Sequence, residues 1–162
     1  MEDKKLRPSE FWPLAHKRIK HWLEARGLLL VSYCKLTDTK EFHGKNLKQG
    51  LQLQTFCEQL VDYISEGHFE IFEQLINEGH LFNDAKALAS GKKLLAAIHP
   101  LTDLILDFND KYLATDDLSA LAVDLSILGE NLEQRFEIED SMVEILHSAH
   151  CQQALKGAKP SH

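Results

Sequence analysis

The side chains best equipped for chemistry are nine histidines, three cysteines and 25 acids in a chain of 162 residues. A di-iron carboxylate centre in a helical bundle needs two Glu-x-x-His pairs and two further Glu residues that face one another. Only Glu144-Ile-Leu-His147 has that spacing, and no second pair answers it. His16 and His21 do not share a helical face. Cys34, Cys57 and Cys151 are too scattered for a Cys-x-x-Cys zinc site or a disulfide framework. Cys34 and Cys57 fall on apolar helical faces and read as small hydrophobes. There is no phosphate-cradling glycine loop, no Gly-x-Ser-x-Gly elbow and no His-Glu-x-x-His pair. These residues ask for neither an enzyme nor a cofactor, and adventitious zinc or nickel is the most the histidines would hold.

The chemistry the sequence does offer is recognition by charge. In a helix through Phe56–Phe72, Leu53, Phe56, Cys57, Leu60 and Ile64 form a core-facing stripe. Glu58, Asp62, Glu66 and Glu70 then form an i, i+4 ladder of like charge on the far side. Such neighbours repel by roughly 0.2 to 0.5 kcal/mol per pair. No Lys or Arg between Lys48 and Lys86 relieves them. Two readings are open: the solvated face of an amphipathic helix, or a ridge for a basic protein partner. If the helix runs through Gly67, Phe69 joins the ridge; if Gly67 ends it, Phe69 turns inward.

The elements that must position this ridge are helical. Helix formers dominate and alternating β-branched runs are missing, with 44% hydrophobic and 27% charged residues. Ser9 is the expected N-cap of a first helix to about Leu36, with Trp12, His16, Ile19, Leu23, Arg26, Leu30, Tyr33 and Cys34 on one face. Thr37 to Gly50 reads as a loop, and a second helix runs from about Leu51 to Ser65. Gly67 either kinks that helix or separates it from a third over Phe69–Asn77. Leu81 to Leu113 is apolar at helical spacing, with a kink or fresh start expected near Pro100. Thr115-Asp116-Asp117 signals the start of the last helix, which runs to about Ala149. Its stripe of Leu121, Leu125, Leu128 and Leu132 is opposed by Val123, Ile127, Ile138 and Ile145, so it should be central.

The whole predicts one all-α domain over residues 1–162, with frayed ends at 1–8 and 156–162. Its architecture is a roughly antiparallel four-helix bundle with one or two short extra helices. Arg26, Arg135 and Glu139 fall on inward stripes, and buried charges persist only when paired, so a polar network is expected among them.

Net charge is −7, unevenly spread. Residues 1–50 carry 11 Lys and Arg against 6 Asp and Glu, whereas 51–162 carry 7 against 19. The acidic part should repel nucleic acid and attract basic protein surfaces. No apolar signal segment follows Met1-Glu-Asp-Lys-Lys5, and no stretch approaches 18 apolar residues, so a cytoplasmic protein away from membranes is expected.

Three blocks carry a resemblance. His21–Leu36, then Phe56–Phe72 with its Leu-Val-Asp-Tyr and Gly-His-Phe words, then Ile127–Asp140 resemble the Rsd/AlgQ family, the bacterial regulators of sigma D. The blocks stand in the family's order and spacing, whereas residues 79–100 show little family character. Members are all-α anti-sigma factors that bind the vegetative sigma factor of RNA polymerase, chiefly through its C-terminal, promoter −35-reading domain. The resemblance implies that Asp62 lies in the sigma-contacting surface. Beyond the resemblance, we expect Ser65, Glu66, His68 and Phe69 to extend that surface along the ridge, and Trp22 and Arg26 to extend it into the first block. A monomer that touches no nucleic acid itself is expected, acting by steric competition. A metal- or ligand-holding bundle of the hemerythrin or ferritin type is the rival. A nucleic-acid binder using basic residues 1–50 is the third reading.

Overall fold

The structure, a computed structural model, describes residues 6–38 and 47–158. Six α-helices are present: α1 (Pro8–Thr37), α2 (Leu47–Glu66), α3 (Phe72–Leu81), α4 (Ala85–Ala114), α5 (Leu121–Leu146) and α6 (Cys151–Ala158). A π-turn over Gly67–Ile71 joins α2 to α3, and a 3-10 turn over Ser148–His150 joins α5 to α6. Counting α2–α3 as one rod, four long rods form the expected all-α bundle, and no strand occurs among the described residues.

Side-chain pairs fix the antiparallel sense. Tyr33 meets Phe56 and Trp22 meets Tyr63, so α1 and α2 run oppositely. Thr102 meets Arg135 and Lys111 meets Asp124, so α4 and α5 do the same. One core joins the rods, with Trp22, Phe56, Leu60, Tyr63, Phe72, Ile98, Ile105 and Leu132 among its buried members. The α2 stripe of Leu53, Phe56, Cys57, Leu60 and Ile64 is buried throughout, as its period requires.

Several boundaries differ from expectation for local reasons. Pro8 takes the first helical position of α1 after an extended Arg7, so Ser9 lies inside the helix and is not its cap. α4 passes through Pro100 without a fresh start. Its true cap is Asp84, whose carboxylate accepts the Ala87 N–H at 3.0 Å. Asn83 before it adopts φ 51, a left-handed conformation that Asn tolerates. The Thr115–Asp117 signal closes a loop: Thr115 Oγ1 accepts from Asp117 N–H, and Asp117 Oδ1 accepts from Ser119 N–H. These local bonds compete with the helix, which therefore starts at Leu121.

α5 is not enclosed on both sides, because Val123 and Ile127 are 64% and 52% exposed while Ile138 and Ile145 pack on the core. Cys34 is exposed, whereas Cys57 is buried as expected. α5 ends at Leu146, and Lys156, expected in a tail, is helical in α6. Residues 1–5, 39–46 and 159–162, which include most of the expected first loop and parts of both expected tails, lie outside the described residues.

Candidate protein-binding site

The ridge follows from the way α2 is buried. Its apolar stripe faces the core, so Glu58 and Asp62 on the opposite side are exposed, and Asp62 has no partner among the described residues. Ser65 and Glu66 follow, both half-buried. The next turn is where Gly67 would decide between a kink and a break, and it does neither. The chain widens into a π-turn, with Phe72 N–H donating to Gly67 O, and α3 continues from it. Glycine suits this turn because Trp22 packs close to the backbone. A Cβ on Gly67 would lie 3.1 Å from Trp22 Cζ2 and 3.4 Å from Phe72 Cζ. Within this turn, His68, Phe69 and Glu70 are exposed, and Phe69 is 69% accessible. The His68 ring meets Phe69 edge-on at 4.8 Å.

Ridge electrostatics match the like-charge pattern. Glu66 has its carboxyl held above the usual range, first by burial; His21 pulls it down, while Glu70 and Asp62 push it up. Facing the ridge across a cleft, α1 contributes Phe11, Lys17, Arg18 and His21 opposite Glu66, Phe69, Glu70 and Glu73. This basic wall was not legible in the sequence, because it becomes a wall only when α1 pairs antiparallel with α2–α3. Its one signal is the spacing of Leu14, Arg18, His21, Ala25 and Leu28, a stripe one residue out of phase with the buried one.

Of the seven residues expected at the site, Asp62, Ser65, Glu66, His68 and Phe69 come together on this rod. The two from α1 do not join them. Trp22 is fully buried, stacked on Tyr63 at 4.9 Å, with its indole N–H donating to Tyr63 O at 3.2 Å. It sits on the core face of α1, out of reach of any partner.

Arg26 also points inward, its side chain 13% accessible. It donates from Nε to Tyr63 Oη at 2.9 Å and from Nη1 to Asp140 at 2.7 Å, and its guanidinium lies 4.6 Å from the Phe136 ring centroid. Arg26 belongs instead to the expected polar network, which is present. Glu139, fully buried, accepts from Tyr63 Oη at 2.8 Å and from Arg135 Nε and Arg26 Nη2 at 3.4 Å each. Arg135 also donates to Thr102 Oγ1 at 2.6 Å. Burial raises the Glu139 carboxyl above its usual range, and Arg135, Tyr63 and Arg26 act against it. This network ties α1, α2, α4 and α5 together directly behind the ridge.

His147, the one histidine with a Glu-x-x-His partner, turns into the core and meets Glu78, not Glu144. Among the described residues no three His, Cys, Asp or Glu side chains are grouped to hold a metal ion. No described helix is long and apolar enough to cross a membrane.

A family model described as "Regulator of RNA polymerase sigma(70) subunit, Rsd/AlgQ" matches residues 3–147. The chain belongs to the Rsd/AlgQ family. It is 36% identical over 134 residues to the regulator of sigma D of Pectobacterium carotovorum subsp. carotovorum, covering 80% of this chain and 87% of the relative. It is 34% identical over 135 residues to that of Yersinia enterocolitica, covering 80% of each. With that of Yersinia pseudotuberculosis it shares 36% over 140 residues, 80% of this chain and 79% of the relative. Both the ridge and the network behind it, from Arg26 to Asp140, fall inside the span matched to Rsd/AlgQ.

Proposed function

We propose that this Rsd/AlgQ chain is a non-enzymatic anti-sigma factor that holds the C-terminal, −35-reading domain of the primary sigma factor on the ridge from Asp62 to Phe69. The observation that carries this is the self-repelling acid row. Asp62 and Glu70 are exposed, Glu66 between them is raised first by burial and then, against the pull of His21, by Glu70 and Asp62, and Phe69 stands largely bare beside them. The α1 wall faces Glu66 and Glu70 from across the cleft, whereas Asp62 lies outside that lining, and a basic partner adds opposite charge to a row whose members repel one another. A domain that reads DNA through a helix-turn-helix presents such a basic surface. Held here by a monomer, one sigma domain engages neither promoter DNA nor core polymerase.

Titration calorimetry of the full chain against the sigma C-terminal domain tests this. Saturable one-to-one binding is expected, with Asp62→Ala weakening it by more than about 1.4 kcal/mol, which is tenfold. Absence of binding by the unmodified chain overturns the function. Binding indifferent to Asp62→Ala overturns the site.

A further inference from the structure

The polar groups that the ridge leaves unused lie on the other flank of α1. Trp12 and His16, one turn apart, both face His147 at the end of α5. The Trp12 indole N–H donates to His147 O at 2.8 Å, and His16 Nδ1 stands 3.0 Å from His147 Nε2. The three rings stack nearly parallel, with centroids 4.3 to 5.2 Å apart. His147 is buried, and its other ring nitrogen, Nδ1, meets Glu78 Oε1 of α3, also buried.

His150, one turn beyond, has Nδ1 on Leu146 O and Nε2 on the Asp84 carboxylate. The contact between His16 and His147 is of another kind. A ring nitrogen faces a ring nitrogen, and the bond exists only while one of them carries a hydrogen and the other offers a lone pair. If both rings become imidazolium, two N–H groups oppose each other and the contact is lost.

The charged groups around the pair come from α1, α3, the start of α4 and the 3-10 turn. Lys20 and Glu24 of α1 line the same groove as the two histidines. Glu78 comes from α3, Asp84 from the start of α4 and His150 from the 3-10 turn. Burial, then the charge of His147, then Lys20 hold His16 below the usual histidine range. Glu78 is held above the carboxylate range by burial, against the pull of His147 and His150.

The same turns of α1 carry Phe11, Lys17, Arg18 and His21, the wall that faces Phe69 and Glu70 across the cleft. Between the two flanks, Gln74 Nε2–H donates to Ala15 O at 3.2 Å. Trp12 and His16 thus share one stretch of α1 with the wall, which is the route by which the clamp would act on it.

We propose that the His16–His147 contact is a proton-operated clamp that holds the first turns of α1 in the shape the partner requires and releases them on acidification. The proposal rests on the partner reading above and names the regulation of that site. Near neutrality the clamp is closed and the cleft is set. With both imidazoles charged it opens, and affinity for the sigma domain falls.

The test uses the full chain and His16→Gln, whose amide can donate to His147 Nε2 but cannot become charged. Two readouts are taken from about pH 7.5 to about pH 4.5, across and below the ordinary histidine range. The first is the Trp12 indole N–H resonance of the free protein by NMR, which should titrate in the unmodified chain and stay fixed in His16→Gln. The second is affinity for the sigma C-terminal domain. The unmodified chain should lose about fivefold or more relative to His16→Gln, the low end of allosteric couplings. Titration of His21 or of the partner itself appears in both proteins and cancels. An indole signal that ignores pH overturns the clamp. A constant affinity ratio between the two proteins, with the indole titrating, overturns its coupling to the site. Absence of binding by both proteins at every pH, with the indole titrating, overturns the partner reading and the proposed regulation with it.

Discussion

Replacing Glu139 with Leu should be among the most damaging single changes in the molecule. Glu139 is fully buried and accepts three hydrogen bonds, from Tyr63, Arg135 and Arg26. Their loss does not fall evenly. Arg26 keeps Asp140 and Tyr63, and Tyr63 Oη keeps its bond from Arg26 Nε. Arg135 is left fully buried, with Thr102 as its remaining partner and an Nη2 that already lacks one. Breaking a buried ion pair from one side costs about 3 to 5 kcal/mol, because the surviving charge is uncompensated. That is a large part of the roughly 5 to 15 kcal/mol that holds a domain of this kind folded. Urea unfolding followed by circular dichroism should show the midpoint falling by about 2 M, for a slope near 2 kcal/mol/M. Adding Arg135→Met removes the stranded charge and should restore at least half of the loss. A cost below about 1 kcal/mol for Glu139→Leu, or a double variant no more stable than the single one, would refute this account of the network.

Two further substitutions test the packing behind the ridge. Gly67→Ala places a Cβ 3.1 Å from Trp22 Cζ2, so Trp22 or the π-turn must shift. The strain, about 1 to 3 kcal/mol, should outweigh the gain of up to about 1 kcal/mol from replacing a helical glycine, and thermal unfolding should show a lower Tm. Trp22→Phe loses the indole bond to Tyr63 O and leaves a void. Denaturant unfolding should show a loss of about 1 to 3 kcal/mol, while the folded protein binds its partner within about threefold of the original. A tenfold loss of binding without loss of stability would return Trp22 to the interface.

The parts legible in the sequence are those that depend on one helix at a time. The stripe from Leu53 to Ile64 and the opposing acids follow from a period of 3.6, and the structure buries and exposes them accordingly. The network of Arg26, Arg135 and Glu139 was legible because charged residues on an inward stripe need one another. Where two signals compete locally, the sequence misleads. Thr115 and Asp117 can cap a helix or close a turn with the same oxygens, and here they close the turn. The π-turn after Glu66 has no local signature, since the close neighbour of Gly67 is Trp22 from another helix. Trp22 was misplaced for the converse reason. It neighbours the outward His21, and which of two adjacent stripes of α1 is buried is settled by packing against Tyr63 and Phe72. The wall of Lys17, Arg18 and His21 is a property of two rods together.

The most direct measurement of the central claim is amide hydrogen exchange of the full chain, free and with the sigma C-terminal domain, read by mass spectrometry. Added protection should concentrate in peptides spanning Asp62 to Glu73 and in the facing turns of α1 from Phe11 to His21. Protection confined to α4 and α5, or no change at partner concentrations well above those used for binding, would contradict it.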